Sequence, residues 1–263
     1  MPTPIVTLSL DAMRTRFEIV LASPDGARSE ADLKTAGEAA LLEIQDAETR
    51  LSLFRRDSLL AHINRTAALE PVRLDADTFG LLRTTQEVWR LSSGAFDPTI
   101  AARMTALGLH QDACLPTPTD QQPAPTFDLV HLDPADSSVR FLAPTALDLG
   151  AIAKGHALDL AARTLREHAI ACALLHAGTS SILAIGAPPG QDAWAIALRP
   201  PEPATSPGHA PTIRLRDDAL GVSAHHGRIA GSPDAPITHI LDPRTGLPAP
   251  PIARLAAIVA PTA

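Results

Sequence analysis

The chain has 263 residues, 45% of them hydrophobic and 19% charged, the balance of a folded globular protein rather than a disordered one. Its formal net charge of -7 excludes a general basic surface for nucleic acid or an anionic membrane, while a local cationic pocket for a small anion stays compatible with it. No stretch approaches the roughly 20 apolar residues of a membrane span, and Cys114 and Cys172 stand far apart without metal-ligand spacing.

The opening MPTPIVTLSLDAMRTRFEIV has neither a basic leader nor a long apolar segment, so cytoplasmic residence is expected. Within it FEIVL reads as a strand. In ADLKTAGEAALLEIQDAETRLSLF, Leu33, Ala36, Ala40, Ile44, Ala47 and Leu51 recur at three- and four-residue steps and predict a helix with one apolar face. DADTFGLLRTTQEVWRLS predicts a second helix through Phe79, Leu82 and Trp89, with Asp75 or Asp77 as N-cap.

GAFDPTI follows. Pro98 biases Asp97 toward an extended backbone, which either aims its carboxylate into a cleft or lets it cap the next segment as an Asx-type turn. Two Pro-rich stretches, 115–126 and 199–212, read as loops within one domain. FDLVHLD, SVRFL, SILAIG, AWAIALR, THILD and LAAIVA read as strands.

LDLGAIAKGHALD carries one of only two lysines in a chain with 22 Lys plus Arg. Leu147 and Leu149 suit the end of a strand, Gly150 a tight turn, and HALDLAARTLREHA a helix. Backbone N–H groups near that helix start would favour phosphate, and Lys154 adds a point charge suited to a diphosphate. The alternative is a plain strand–helix connection with an exposed lysine.

HAGTSS offers small, donor-rich residues before a strand. In VSAHHGR, His225 and His226 would face opposite sides of a strand and make a poor chelate. In THILDPRTG, Ile240 and Leu241 are expected to end a strand before an Asp242–Gly246 turn. His239 would then stand on a rigid element as an acid/base group, or else as a satisfied core histidine. Neither a G-x-S-x-G elbow nor a G-x-G-x-x-G fingerprint is present. Early helices and late hairpin-like strands predict an α+β fold.

Taken in order, MRT, LSLF…S…IN, GAFDPT, LDLGAIAKG, HAGTSS, SAHHGR and HILDPRTG resemble the ApbE-type FAD:protein FMN transferases over residues 12–263. The resemblance implies a single α+β, T-fold-related domain spanning 1–263, with mixed and antiparallel sheets and packed helices. It implies Mg²⁺ as cofactor and FAD as substrate, whose FMN half passes to a threonine of an acceptor flavoprotein with release of AMP. Alternatives within it are FAD diphosphatase activity or flavin binding without turnover.

The resemblance makes His239 and Lys154 catalytic and makes Ala153 a metal ligand through its carbonyl. It assigns Met13, Thr15, Asp97, Asp148, Gly178, Thr179, Ser223, Arg228 and Thr245 to the flavin dinucleotide. The resemblance also leaves export open beside the cytoplasmic expectation. Departures are Arg14 for the usual glycine of Met-Gly-Thr, Thr179 for a second glycine, and SAHHGR for a Ser-Gly-Asn-Tyr pattern. Such enzymes continue past a strand like LAAIVAP into an Asp-Ala-x-x-Thr metal segment. The chain stops at Ala263, so the expectation is a fragment, or an impaired enzyme, short of that segment.

Overall fold

The computed structural model describes residues 4–110, 112–115, 126–198, 210–224, 229–232, 235–250, 253 and 255–263. Most of both Pro-rich stretches, and the His225–Arg228 motif, lie outside the described residues. In chain order the first elements are β1 (Ile5–Ala12), β2 (Thr15–Ala22), α1 (Glu30–Leu51), α2 (Leu59–Thr66), β3 (Val72–Arg73) and α3 (Ala76–Leu91). A 3₁₀ turn, Pro98–Ile100, leads to α4 (Ala101–Ala106), and another, Phe127–Leu129, leads to β4 (Val130–Asp133). Then come β5 (Ser138–Phe141), α5 (Ala153–Glu167), β6 (Ala173–Ala177), β7 (Ser181–Ile185) and β8 (Trp194–Ala197). The remainder is β9 (Thr212–Leu215), β10 (Ala219–Ala224), β11 (Ile229–Ser232), β12 (Ala235–Thr238), β13 (Leu241–Asp242), β14 (Leu247–Pro248) and β15 (Leu255–Ala260). Helices and antiparallel sheets make the protein α+β, as the sequence predicts.

The residues gather into two compact units: 1–48, 153–224 and 253–263, and 49–152 with 225–252. In the first, a six-stranded sheet runs β1-β2-β6-β7-β10-β15 with antiparallel neighbours. The alternation of β2 turns Phe17, Ile19 and Leu21 to one face, where they meet Leu33, Ala40 and Ile44 of α1 and Ala157, Ala161 and Leu165 of α5, all fully buried. Each fully buried Leu, Ile or Phe there contributes about 1.5–3 kcal/mol. Alanines on α5 let that helix lie close to β6 and β7. The opposite face is covered in part by the β8–β9 hairpin, with Leu215 and Leu220 buried against Ile182, Trp194 and Ile213.

In the second unit two caps fix the helix starts. Ser58 Oγ accepts the Ala61 N–H at 2.9 Å and opens α2. Asp75 accepts the Thr78 N–H at 2.9 Å and opens α3, as expected, and also pairs with Arg50. The sheet β3-β5-β4 and the pairs β11–β12 and β13–β14 complete the unit. Trp89 of α3 lies 6.1 Å from Phe127, ring to ring.

One local expectation fails. Leu147 and Leu149 are buried, as strand residues would be, yet they lie in no strand. Asn64 of α2 takes the place of a pairing strand: its amide donates to the Leu147 carbonyl at 3.0 Å and accepts the Leu147 N–H at 2.8 Å. The helix after the joint begins at Ala153, three residues earlier than HALDLAAR alone indicates.

Candidate functional site

Five sequence-predicted residues of the first unit, Met13, Thr15, Gly178, Thr179 and Ser223, gather at one end of its sheet. The register sets Ala12 opposite Thr15, Phe17 opposite Ala177, and Ser181 opposite both Ala177 and Gly221. The β1–β2 turn, the Gly178–Ser180 turn and the end of β10, with Ser223, therefore share that edge. Thr15 and Gly178 are closest. The Gly178 N–H donates to the Arg16 carbonyl at 2.9 Å, its φ is +58°, and a Cβ there would overlap Thr15 Oγ1. Thr179 and Ser223 are exposed along the same rim, and the Val222 N–H reaches the Ser180 carbonyl at 2.8 Å.

The turn before Thr15 is strained. Met13 and Arg14 have φ of 49° and 60°, the left-handed pair that a two-residue hairpin loop demands and that Asn or Gly adopts more readily. Glu48 of α1 holds it in place by accepting the Met13 N–H at 2.7 Å. Arg14→Gly is expected to stabilise the protein by about 1 kcal/mol, read from the urea unfolding midpoint. An unchanged midpoint would mean that the arginine's own interactions offset the strain.

Ala153 and Lys154 are the first two residues of α5. Ala153 is buried, and its carbonyl is one oxygen donor with two lone pairs. Gly155 brings another backbone to the same turn: a Cβ there would stand 2.6 Å from the Ala263 carbonyl oxygen. One turn on, Asp159 accepts the Ala263 N–H at 3.0 Å, and burial pushes its carboxyl above the ordinary value against the pull of that hydrogen bond. Among the described residues no group of three His, Cys, Asp or Glu side chains is disposed to hold a metal ion.

In the second unit the Asp97 carboxylate turns inward. Oδ1 accepts the Thr99 N–H at 2.9 Å and the Thr99 hydroxyl at 2.6 Å, and Oδ2 accepts the Phe127 N–H at 3.0 Å. The capping alternative is thus what the local geometry displays, with Asp97 also at the wall of a cavity of about 270 Å³ beside Trp89, Thr126 and Arg244.

Asp148 is held on three sides. Its N–H donates to the Pro98 carbonyl at 2.7 Å, Oδ1 accepts the Gly150 N–H at 2.8 Å, and Oδ2 lies 2.7 Å from His110 Nε2. Sequence reasoning missed His110, a lone histidine after α4 with no pattern around it. It also missed Asn64 as a clamp, although an asparagine on the apolar face of LLAHINRT was a usable signal.

Thr245 lies in the Asp242–Gly246 turn, where its Oγ1 donates to the Asp242 carbonyl at 3.3 Å and accepts the Leu247 N–H at 3.3 Å. Arg244 grips both Asp242 oxygens at 2.9 Å and holds that carboxyl below its ordinary value. Arg103 Nε donates to the Gly246 carbonyl at 2.7 Å. His239 is half-buried in the bend between β12 and β13, not on a strand as expected, because β12 ends its pairing with β11 at Thr238 and the separate β13–β14 pair starts only at Leu241. Arg228 lies outside the described residues.

A sequence profile described as the ApbE family matches residues 13–263. The chain belongs to the ApbE family. Among curated ApbE relatives, the FAD:protein FMN transferase of Treponema pallidum (strain Nichols) is 32% identical over 240 residues, 84% of this chain and 66% of the relative. The enzyme of the same name from Rhodobacter capsulatus is 31% identical over 191 residues, 69% of this chain and 35% of the relative. The chain therefore spans about two thirds of the first and about a third of the second.

The solved ApbE protein of Thermotoga maritima superposes with a TM-score of 0.82 at 25% identity, over 98% of this chain and 82% of that one. The flavin transferase ApbE of Vibrio cholerae shares the fold, with a TM-score of 0.77 at 22% identity over 99% of this chain and 83% of that one. Among the described residues no helix is long and apolar enough to cross a membrane.

Proposed function

We propose that the protein is a magnesium-dependent flavin transferase that binds FAD, cuts its diphosphate and passes the FMN half to a threonine hydroxyl of an acceptor flavoprotein, releasing AMP. The observation that carries this reading is the ApbE family match across residues 13–263. Two local features support it: the α5 start with Lys154, suited to a diphosphate, and the Thr15–Gly178 rim. The whole 1–263 chain is read as one catalytic domain in the cytoplasm.

In the proposed step the threonine oxygen bonds to the FMN phosphorus while the bond from that phosphorus to the bridging oxygen breaks. AMP departs with the bridging oxygen, and the hydroxyl proton passes to a base. The reading assigns His239 to accept that proton or orient the hydroxyl, and Lys154 with the first N–H groups of α5 to offset charge on the departing oxygens. Met13, Thr15, Asp97, Asp148, Gly178, Thr179, Ser223, Arg228 and Thr245 are assigned to holding the dinucleotide. Magnesium would neutralise diphosphate charge, with the Ala153 carbonyl as one of several oxygen donors.

The test is incubation with FAD, Mg²⁺ and an acceptor domain carrying a target threonine, with AMP measured by chromatography and bound flavin by in-gel fluorescence. Equal amounts of AMP and acceptor-bound flavin are expected. AMP with free FMN would replace transfer by hydrolysis, and FAD binding without AMP would reduce the protein to a flavin-binding module. His239→Ala is expected to lower AMP release about 100-fold while FAD affinity stays within about threefold. Equal losses in both would remove its catalytic role.

A further inference from the structure

We propose that His110 is a positioning residue: it fixes the carboxylate of Asp148, and through it the Asp148–Gly150 turn, in the orientation that FAD binding requires. The inference rests on the flavin reading above, which gives Asp148 to the dinucleotide. His110 is 7% exposed, with its ring edge-on to Phe54 at 5.6 Å between centroids. Its Nε2 lies 2.7 Å from Asp148 Oδ2. A carboxylate accepts, so Nε2 carries the hydrogen, and Nδ1 is buried without a hydrogen-bond partner among the described residues.

A buried histidine with an unmet nitrogen is costly to keep for packing alone, since leucine would fill the same space with no polar atom to satisfy. What the imidazole supplies that leucine cannot is one N–H, and that N–H is aimed at Asp148. Asp148 in turn spends its other oxygen on the Gly150 N–H at 2.8 Å, so both ends of the carboxylate are pinned. Direction matters for this group. A carboxylate free to swing presents its charge in a changing direction, whereas one held by two donors keeps a single orientation.

Two variants separate the N–H from the volume it occupies. His110→Leu fills the pocket without a donor, and His110→Gln restores an N–H at nearly the position of Nε2. With FAD as the probe, followed by quenching of flavin fluorescence, H110L is expected to weaken binding about tenfold and H110Q to stay within about threefold of wild type. Equal affinity for wild type and H110L, or a loss in H110L that H110Q does not recover, overturns the inference.

Amide hydrogen exchange decides the same question without any ligand. Gly150 should exchange about tenfold faster in H110L than in wild type while amides inside α2 keep their rates, and H110Q should restore protection. Unchanged exchange at Gly150 overturns the inference. A wild-type protein that fails to bind FAD defeats the functional reading instead, and the Gly150 amide then judges the positioning of Asp148 alone.

Discussion

Asn64→Ala is expected to destabilise the protein by about 3 kcal/mol, because two buried hydrogen bonds vanish and both halves of the Leu147 backbone are stranded at once. Asn64 is 2% exposed and Leu147 fully buried, so water cannot take over either role. Losing a bond costs modestly when both partners leave together; here the peptide N–H and C=O remain, each carrying a desolvation penalty of about 1–3 kcal/mol. Asn64→Asp should do no better, since a carboxylate can accept the Leu147 N–H but only repels its carbonyl. The urea midpoint at constant slope reads the change. A loss under about 1 kcal/mol would mean that the Leu147 peptide finds another partner when Asn64 leaves.

Gly178→Ala is expected to cost about 2–3 kcal/mol, the sum of a left-handed backbone that alanine resists and an overlap with Thr15 Oγ1. The two causes separate in a double-mutant cycle. Thr15→Ala removes the oxygen but not the backbone demand, so in that background Gly178→Ala should cost only about 1 kcal/mol. Strict additivity would show that the two side-chain positions do not touch. Loss of FAD binding from Gly178→Ala that Thr15→Ala partly restores would connect the rim to the ligand as well as to stability.

How much of this was legible follows the range of the interactions. α1 and α3 were readable because their apolar residues repeat within a few positions, and Asp75 because an N-cap acts on a residue three places away. The Leu147–Gly150 joint was misread for the converse reason. Two buried leucines in alternation look like a strand, and nothing in their neighbourhood discloses that a side chain 83 residues upstream supplies the pairing.

His110 and Asp148, 38 residues apart, belong to the same class. Asp97 showed both of its alternatives in sequence, and the bonds to Thr99 and Phe127 display the capping one. The ordered motifs identified the family where no single motif could have done so, and the profile match over 13–263 agrees with them.

The placement of the indoles has a practical corollary. The chain contains no tyrosine and two tryptophans, Trp194 in the β8–β9 layer of the sheet unit and Trp89 on α3 of the other. Emission excited near 295 nm thus comes from one reporter per unit, and replacing either with phenylalanine silences that unit without touching the other. A pair of denaturation curves recorded this way would tell whether the halves melt as one cooperative body or in sequence.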